Sequence, residues 1–363
     1  MEKPLSICTA IYNIDEKFLR ECIESLIADK SEDVEIILGD DCSKNNAGEI
    51  CAEYAEKDSR IKYIRPEKNG GVSVMRNMMI DAASGRFITF VDGDDVVSPI
   101  YVKKLLEISK TDYDIVMFDR TSFTDTKPEG TEGKNSVVPY PDGAARVFSI
   151  CRLSGAPQSA TMYGIKNSCP SSVCSKAYRR EFLLENGIKF VPGIRKSQDT
   201  VFNTRAYFYC KRLGGLEEVL YYYRTNPASI CNRYSADFDT IVREAFARDE
   251  KNLDTLYGGD EKIRRDLYTY KLIFNITENC RLNIFHKDNP HTNKERKKEF
   301  LDFAEREPYR SFLDSFDTDS YDWYERRLTL KLVKKRRYYT LLFVYRHPFV
   351  FKLYGRLKNM LKH

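Results

Sequence analysis

Phe87-Ile-Thr-Phe-Val-Asp-Gly-Asp-Asp95 is the stretch on which the fold turns: five apolar or β-branched residues run straight into three carboxylates within four positions. A short continuous apolar run closed by an Asp-Gly turn reads as a strand buried on both faces of a parallel sheet. Working outward, the same pattern repeats towards the N-terminus. Leu5–Tyr12 is an apolar strand, and the helix Glu16–Ala28 places Phe18, Leu19, Cys22, Ile23, Leu26 and Ile27 at helical spacing. Val34–Leu38 is a second strand, Gly48–Lys57 a short helix and Ile61–Ile64 a third strand, before a Gly70-Gly71 turn opens the helix Val72–Ala83. Beyond the fourth strand, Phe87–Val91, a helix over Pro99–Ser109 and a strand over Ile115–Phe118 follow. Four βα units in about 120 residues predict a Rossmann-like α/β half with ligands at the carboxyl ends of its strands. Tyr12-Asn13, Asp40-Asp41 and Asp92, Asp94 and Asp95 all stand at such ends, so they should converge on one crevice.

The remainder reads less regularly. Residues 121–170 are rich in Thr, Ser, Gly and Pro and predict a loop-laden crossing segment with a helix at Ala144–Leu153. Cys174–Asn186 reads as helix, Ile188–Phe190 as a short strand, Ser197–Tyr209 as helix and Leu216–Arg224 as a strand with three consecutive tyrosines. From about residue 236 the pattern turns helical, over Ile241–Leu256, Glu261–Ile284 and Asn293–Glu307. The reading divides the chain into an α/β domain over 1–235, a smaller helical domain over 236–325 and a basic tail over 326–363.

Composition limits the function classes. The chain has 363 residues, 42% hydrophobic and 31% charged, with a mean hydropathy of −0.52 and no apolar run near the ~18–20 residues of a membrane span. Its first residues lack the basic leader and cleavage site of a signal peptide, so the expectation is a cytoplasmic protein. Ten cysteines with no Cys-x-x-Cys spacing read as buried structural thiols, and four histidines supply no zinc template. Twelve Lys and Arg and no acidic residue lie from Arg326 to His363, which leaves the first 325 residues at a net −7, with 47 basic and 54 acidic side chains.

Four motifs carry candidate chemistry. Asp92-Gly93-Asp94-Asp95 is either a divalent-metal site, Mg²⁺ or Mn²⁺ shared with a diphosphate, or an acidic turn capping the next helix. Asp40-Asp41-Cys42-Ser43 places a carboxylate where it can accept from a base N–H, or where it simply opens the following helix. Asn69-Gly70-Gly71-Val72-Ser73 leads to Arg76-Asn77 and is either an anion-binding helix start, with Arg76 a phosphate partner, or a plain glycine turn. Asp199, in Ser197-Gln198-Asp199-Thr200, is either a helix cap or a general base for an attacking hydroxyl.

In this order, with Ser6-Ile-Cys-Thr-Ala-Ile-Tyr-Asn13 before them and Ser175-Lys-Ala-Tyr-Arg-Arg180 ahead of Asp199, the motifs resemble glycosyltransferase family 2 over residues 4 to about 230. The resemblance implies a GT-A fold, a mixed sheet flanked by helices, and inverting, metal-dependent transfer from a nucleotide diphosphate sugar, usually a UDP-sugar. It implies that Asp41 contacts the base, that Ala10 and Tyr12 lie in the strand-one nucleotide pocket, and that Asp92 and Asp94 form the Asp-x-Asp motif with Asp94 the first metal ligand. Asp199 matches the catalytic base. Gln198, Cys42 and Ala10 depart from the family pattern, which often has Glu, Gly and Pro there.

The leading expectation is therefore a hexosyl- or N-acetylhexosaminyl-transferase acting on a saccharide or lipid-linked saccharide in surface polysaccharide synthesis. A metal-dependent sugar-phosphate nucleotidyltransferase, which would release pyrophosphate, and a non-catalytic nucleotide-sugar binding protein are the alternatives. Lys331 to Lys352 interleaves cations with aromatic and aliphatic residues. That segment fits an interfacial helix on anionic lipid, broken at Pro348, which would make the enzyme peripheral at the inner face of the membrane. It equally fits a terminal helix packed on the enzyme. Nucleic acid is the poorer partner, because the acidic catalytic half repels phosphate.

Overall fold

The computed structural model describes residues 3–128, 135–140, 172–194, 196–225, 233–244, 247, 261–321 and 323–360. They form two compact units that divide in the sequence between residues 226 and 227.

The first unit is built on a nine-stranded mixed sheet. Its N-terminal half alternates β1 (Leu5–Ile11), α1 (Glu16–Ile27), β2 (Val34–Asp40), α2 (Ala47–Lys57), β3 (Ile61–Ile64), α3 (Val72–Ala82) and β4 (Phe87–Asp92). These strands pair in parallel in the order β3-β2-β1-β4. Each helix covers the sheet through a helical-period stripe; α1 buries Leu19, Cys22, Ile23 and Leu26, and its N-terminus is capped by Asp15 accepting from the Lys17 amide at 3.0 Å. The register sets the strand ends level, with Ala10 opposite Gly39 on one side and Asp92 on the other, and Ile11 opposite Asp40. A Cβ on Gly39 would stand 2.9 Å from the side chains of Met75 and Met79 on α3, so a larger residue there would make those flexible chains shift.

Past β5 (Val96–Val97), α4 (Tyr101–Ser109), β6 (Ile115–Phe123) and β7 (Val138–Pro139), the structure differs from the sequence reading. The segment expected to be helical from Cys174 to Asn186 opens as a strand, β8 (Lys176–Arg179), and only then becomes helical, as α5 (Arg180–Glu185). β8 slots antiparallel between β4 and β6, with Tyr178 opposite both Ile88 and Ile115, so pairing with two strands overrides the local helical pattern. The strand expected at Ile188–Phe190 does not form; Phe190 is held instead by the Asn77 side chain, which accepts from its amide and donates to its carbonyl, both at 2.8 Å. α6 (Gln198–Tyr209) and β9 (Leu213–Arg224) complete the unit. The helix expected at Ala144–Leu153, and most of the one at Ile241–Leu256, lie outside the described residues.

The second unit is helical: α7 (Glu261–Asn279) continued by a π-helical turn, then α8 (Asn293–Glu305), α9 (Tyr309–Ser315), α10 (Tyr324–Lys334), α11 (Tyr338–Arg346) and α12 (Phe349–Met360). α8 starts on a reciprocal capping box between Thr292 and Glu295. The basic C-terminal segment is an integral part of this unit: Leu330, Val333, Tyr338, Leu341 and Leu342 are buried in the same core as Ile273, Phe300 and Leu313. One face of the segment therefore packs on the protein, and Pro348 marks the break between α11 and α12. The seven described cysteines are free thiols, five of them buried. No described helix is long and apolar enough to cross a membrane.

Candidate active site

The carboxyl ends of β1, β2 and β4 carry the predicted cluster, and Arg76 organises it. Arg76 projects from α3 and is only 3% exposed. One arm of its guanidinium donates to Asp92 Oδ1 at 2.8 Å and the other to Asp199 Oδ1 at 2.5 Å. Its ring neighbours are Phe90, at 6.0 Å, and Phe190, at 5.2 Å. Burial works against its charge, but Asp199 and Asp92 outweigh that and hold its pKa above the ordinary value. A planar fork with two faced carboxylates is the geometry at which arginine excels. The arginine read as a phosphate partner thus spends both arms on the protein's own carboxylates.

Asp199 lies in the first turn of α6, where a capping role was the alternative reading. Its side chain makes no cap bond to its own helix; it reaches Arg76 and accepts from the Val173 amide at 3.3 Å. The residue ahead of the helix, Ser197, is in the left-handed region at φ +65°. The carboxylate keeps 23% of its surface exposed while Oδ1 takes the Arg76 guanidinium and Oδ2 the Val173 amide.

The glycine turn is also more committed than its sequence suggests. Asp41, 3% exposed, accepts from the Gly70 amide at 2.8 Å, the Gly71 amide at 2.7 Å and the Asn69 side chain at 2.9 Å. These two amides are engaged by Asp41 and are not free to cradle an anion. Gly71 sits at φ +82°, which only glycine adopts without strain. Cys42 is also left-handed, at φ +60°, a conformation that accounts for the glycine usual at this position in the resembled family. Beside it Tyr12 is 42% exposed, and Asn13 ties the two strand ends together, its amide donating to Ser43 Oγ at 2.9 Å and its side chain accepting from the Lys44 amide at 2.7 Å.

The acidic turn after β4 divides its carboxylates between two tasks. Asp95 is buried and serves the fold: Tyr221 Oη donates to it at 2.5 Å and the Arg224 amide at 2.7 Å. Arg224 also donates to the Asp94 carbonyl at 2.8 Å and to Glu21 at 2.6 Å, with Phe18 and Phe123 against its guanidinium. Tyr221 and Arg224, three residues apart on β9, thus brace the turn from behind. Sequence reading assigned no role to either, nor to Asn69 and Asn77, because their partners stand far off in the chain: Asp95 for Tyr221 and Arg224, Asp41 for Asn69 and Phe190 for Asn77. Asp92 and Asp94 remain towards the crevice. Burial first, then the charge of Asp92, raises the Asp94 pKa to about 6, and burial with both neighbours raises that of Asp95.

Such a cluster favours a cation. No group of three or more His, Cys, Asp or Glu among the described residues is placed to hold a metal. Asp92 and Asp94 alone fit the minimal set of one or two carboxylates that Mg²⁺ or Mn²⁺ takes when phosphate oxygens complete its shell.

Known proteins share this fold. The model of the family described as Glycosyl transferase family 2 matches residues 6–185. The uncharacterized glycosyltransferase EpsJ of Bacillus subtilis (strain 168) is 34% identical over 234 residues, a stretch that covers 62% of either protein. EpsH of the same organism is 29% identical over 287 residues, 78% of each. Among solved structures, S. aureus TarS 1–349 in complex with UDP-GlcNAc superposes with a TM-score of 0.59 at 20% identity, covering 95% of this chain and 92% of that one. At that identity the likeness speaks for the fold.

Proposed function

We propose that this chain, which belongs to glycosyl transferase family 2, transfers a hexosyl or N-acetylhexosaminyl group from a nucleotide diphosphate sugar to a hydroxyl of a saccharide or lipid-linked saccharide acceptor in surface polysaccharide synthesis. The observation that carries the reading is the bridge Asp92–Arg76–Asp199, which sets a half-exposed carboxylate for a donor site within one guanidinium of a carboxylate for an acceptor site. A single displacement follows. Asp199 takes the acceptor hydroxyl proton, the oxygen bonds to the anomeric carbon, and the bond to the diphosphate breaks with inversion. No covalent nucleophile is required. Mn²⁺ or Mg²⁺ held by Asp94 and Asp92 would offset charge on the departing diphosphate. The UDP-GlcNAc complex of TarS supports a UDP-sugar as the first donor to try.

The test is a screen of UDP-, GDP- and dTDP-sugars with Mn²⁺ or Mg²⁺, monitoring the released nucleotide. Release of the nucleoside diphosphate is expected with one donor class; pyrophosphate release would instead identify a nucleotidyltransferase. A second expectation concerns the metal. Asp94 has a raised folded pKa, so its contribution to stability is complete below the ordinary carboxylate value and is lost as pH climbs through about 6. A cation that neutralises the pair restores it. Mn²⁺ should therefore raise the melting temperature more at pH 7.5 than at pH 5, each kcal/mol of binding being worth about 2–4 °C. The double variant Asp92→Asn/Asp94→Asn should show no increment, and an equal increment in that variant would remove the pair from metal binding.

A further inference from the structure

The C-terminal segment packs one face on the second unit and leaves another bare. On α11 and α12, Tyr339, Phe343, Phe349 and Leu353 are 63%, 53%, 61% and 50% exposed. They fall in pairs four residues apart, one turn of helix, while Leu341, Leu342, Val344 and Phe351 point into the protein. The patch continues across the helix break: the His347 ring lies 4.5 Å from Phe343 and 6.0 Å from Phe349. An exposed, contiguous group of large apolar side chains marks an interaction surface.

The cations sort by face in the same way. Lys331, Arg336 and Arg326 pair with Asp319, Glu305 and Glu278. Lys335, Arg337, Arg346, Lys352 and Arg356 are exposed and have no ion-pair partner among the described residues. Because no acidic residue occurs after Glu325, the patch is fringed by uncompensated positive charge.

We propose that this α11–α12 face docks on an anionic lipid bilayer, with Phe343, Phe349 and Leu353 entering the boundary between headgroups and acyl chains and the five free cations at the level of the lipid phosphates. Bulky apolar side chains beside long cationic ones that keep their heads in water are what such an interface accommodates. A second copy of the chain is a poorer occupant, since a symmetric contact would set the same cations against each other. Nucleic acid accounts for the cations and the rings but gives no place to Leu353.

The test is sedimentation of the full chain with phosphatidylcholine vesicles, with and without phosphatidylglycerol. Binding is expected only with phosphatidylglycerol, and weakened by salt. Phe343→Ser/Phe349→Ser should lower the partition coefficient at least tenfold. Arg337→Gln/Arg346→Gln/Lys352→Gln should lower it about a hundredfold, at about 1 kcal/mol for each basic residue. Both variants should keep the wild-type melting temperature and nucleotide release, which separates loss of docking from loss of fold or activity. No binding to phosphatidylglycerol vesicles, or binding indifferent to Phe343 and Phe349, overturns the proposal. So does a dimer in solution abolished by Phe343→Ser/Phe349→Ser, or binding to single-stranded oligonucleotide tighter than to vesicles.

Discussion

Asp199→Asn is expected to lower the rate of sugar transfer by about 10²–10⁴-fold, the range over which a positioned general base acts. The amide has the shape of the carboxylate but cannot take the acceptor's proton. Nucleotide affinity should stay within a few-fold of wild type, because Asp199 stands at the far end of the Arg76 bridge from the acidic turn. Titration of the variant with UDP, alongside turnover on the donor found by the screen, separates the two effects. Undiminished transfer would take Asp199 out of the chemistry. A parallel collapse of nucleotide affinity would make it part of the donor site instead.

The second large effect is expected at Arg76. Replacing it by Met removes the counter-charge shared by two carboxylates held within reach of one guanidinium, and breaking a buried pair costs about 3–5 kcal/mol. Solvent reaches Asp92, whose side chain is 40% exposed, which places the cost near the lower end and a melting-temperature drop near 10 °C. Arg76→Lys keeps the charge but not the fork, so it should recover much of the stability while activity stays low. Thermal melts and turnover on both variants check this. Full activity in Arg76→Lys would show that the site needs a positive charge there but not a bridge between Asp92 and Asp199.

Much of the first unit is legible in the sequence because its strands are buried on both faces and its helices on one. β1 to β4 are short apolar runs that end in polar turns, and α1 to α3 carry apolar stripes at helical period. β8 escapes such a reading: Lys176-Ala-Tyr-Arg179 has no apolar run, and it is a strand because β4 and β6 flank it. The site divides likewise. Asp92 and Asp94 declare themselves by crowding at a strand end, and Asp41 and Asp199 by family resemblance. The task of Arg76 was hidden, because its second partner lies 123 residues away. Whether the amides of Gly70 and Gly71 bind an anion or form a plain turn was left open by the sequence, because nothing local shows that a carboxylate from β2 already occupies them. In the C-terminal segment packing uses one side of α11 and α12 and leaves the other exposed, a division that composition does not reveal.

The buried thiols have a consequence for handling the protein. Burial pushes Cys8, Cys22, Cys174 and Cys280 far above the usual thiol range and Cys51 to about 12. Only the thiolate reacts with alkylating reagents, so these sulfurs are inert in the closed molecule and labelled only when it opens. Maleimide uptake is therefore a stopwatch for breathing, with Cys280 timing the helical unit and the other four timing the sheet.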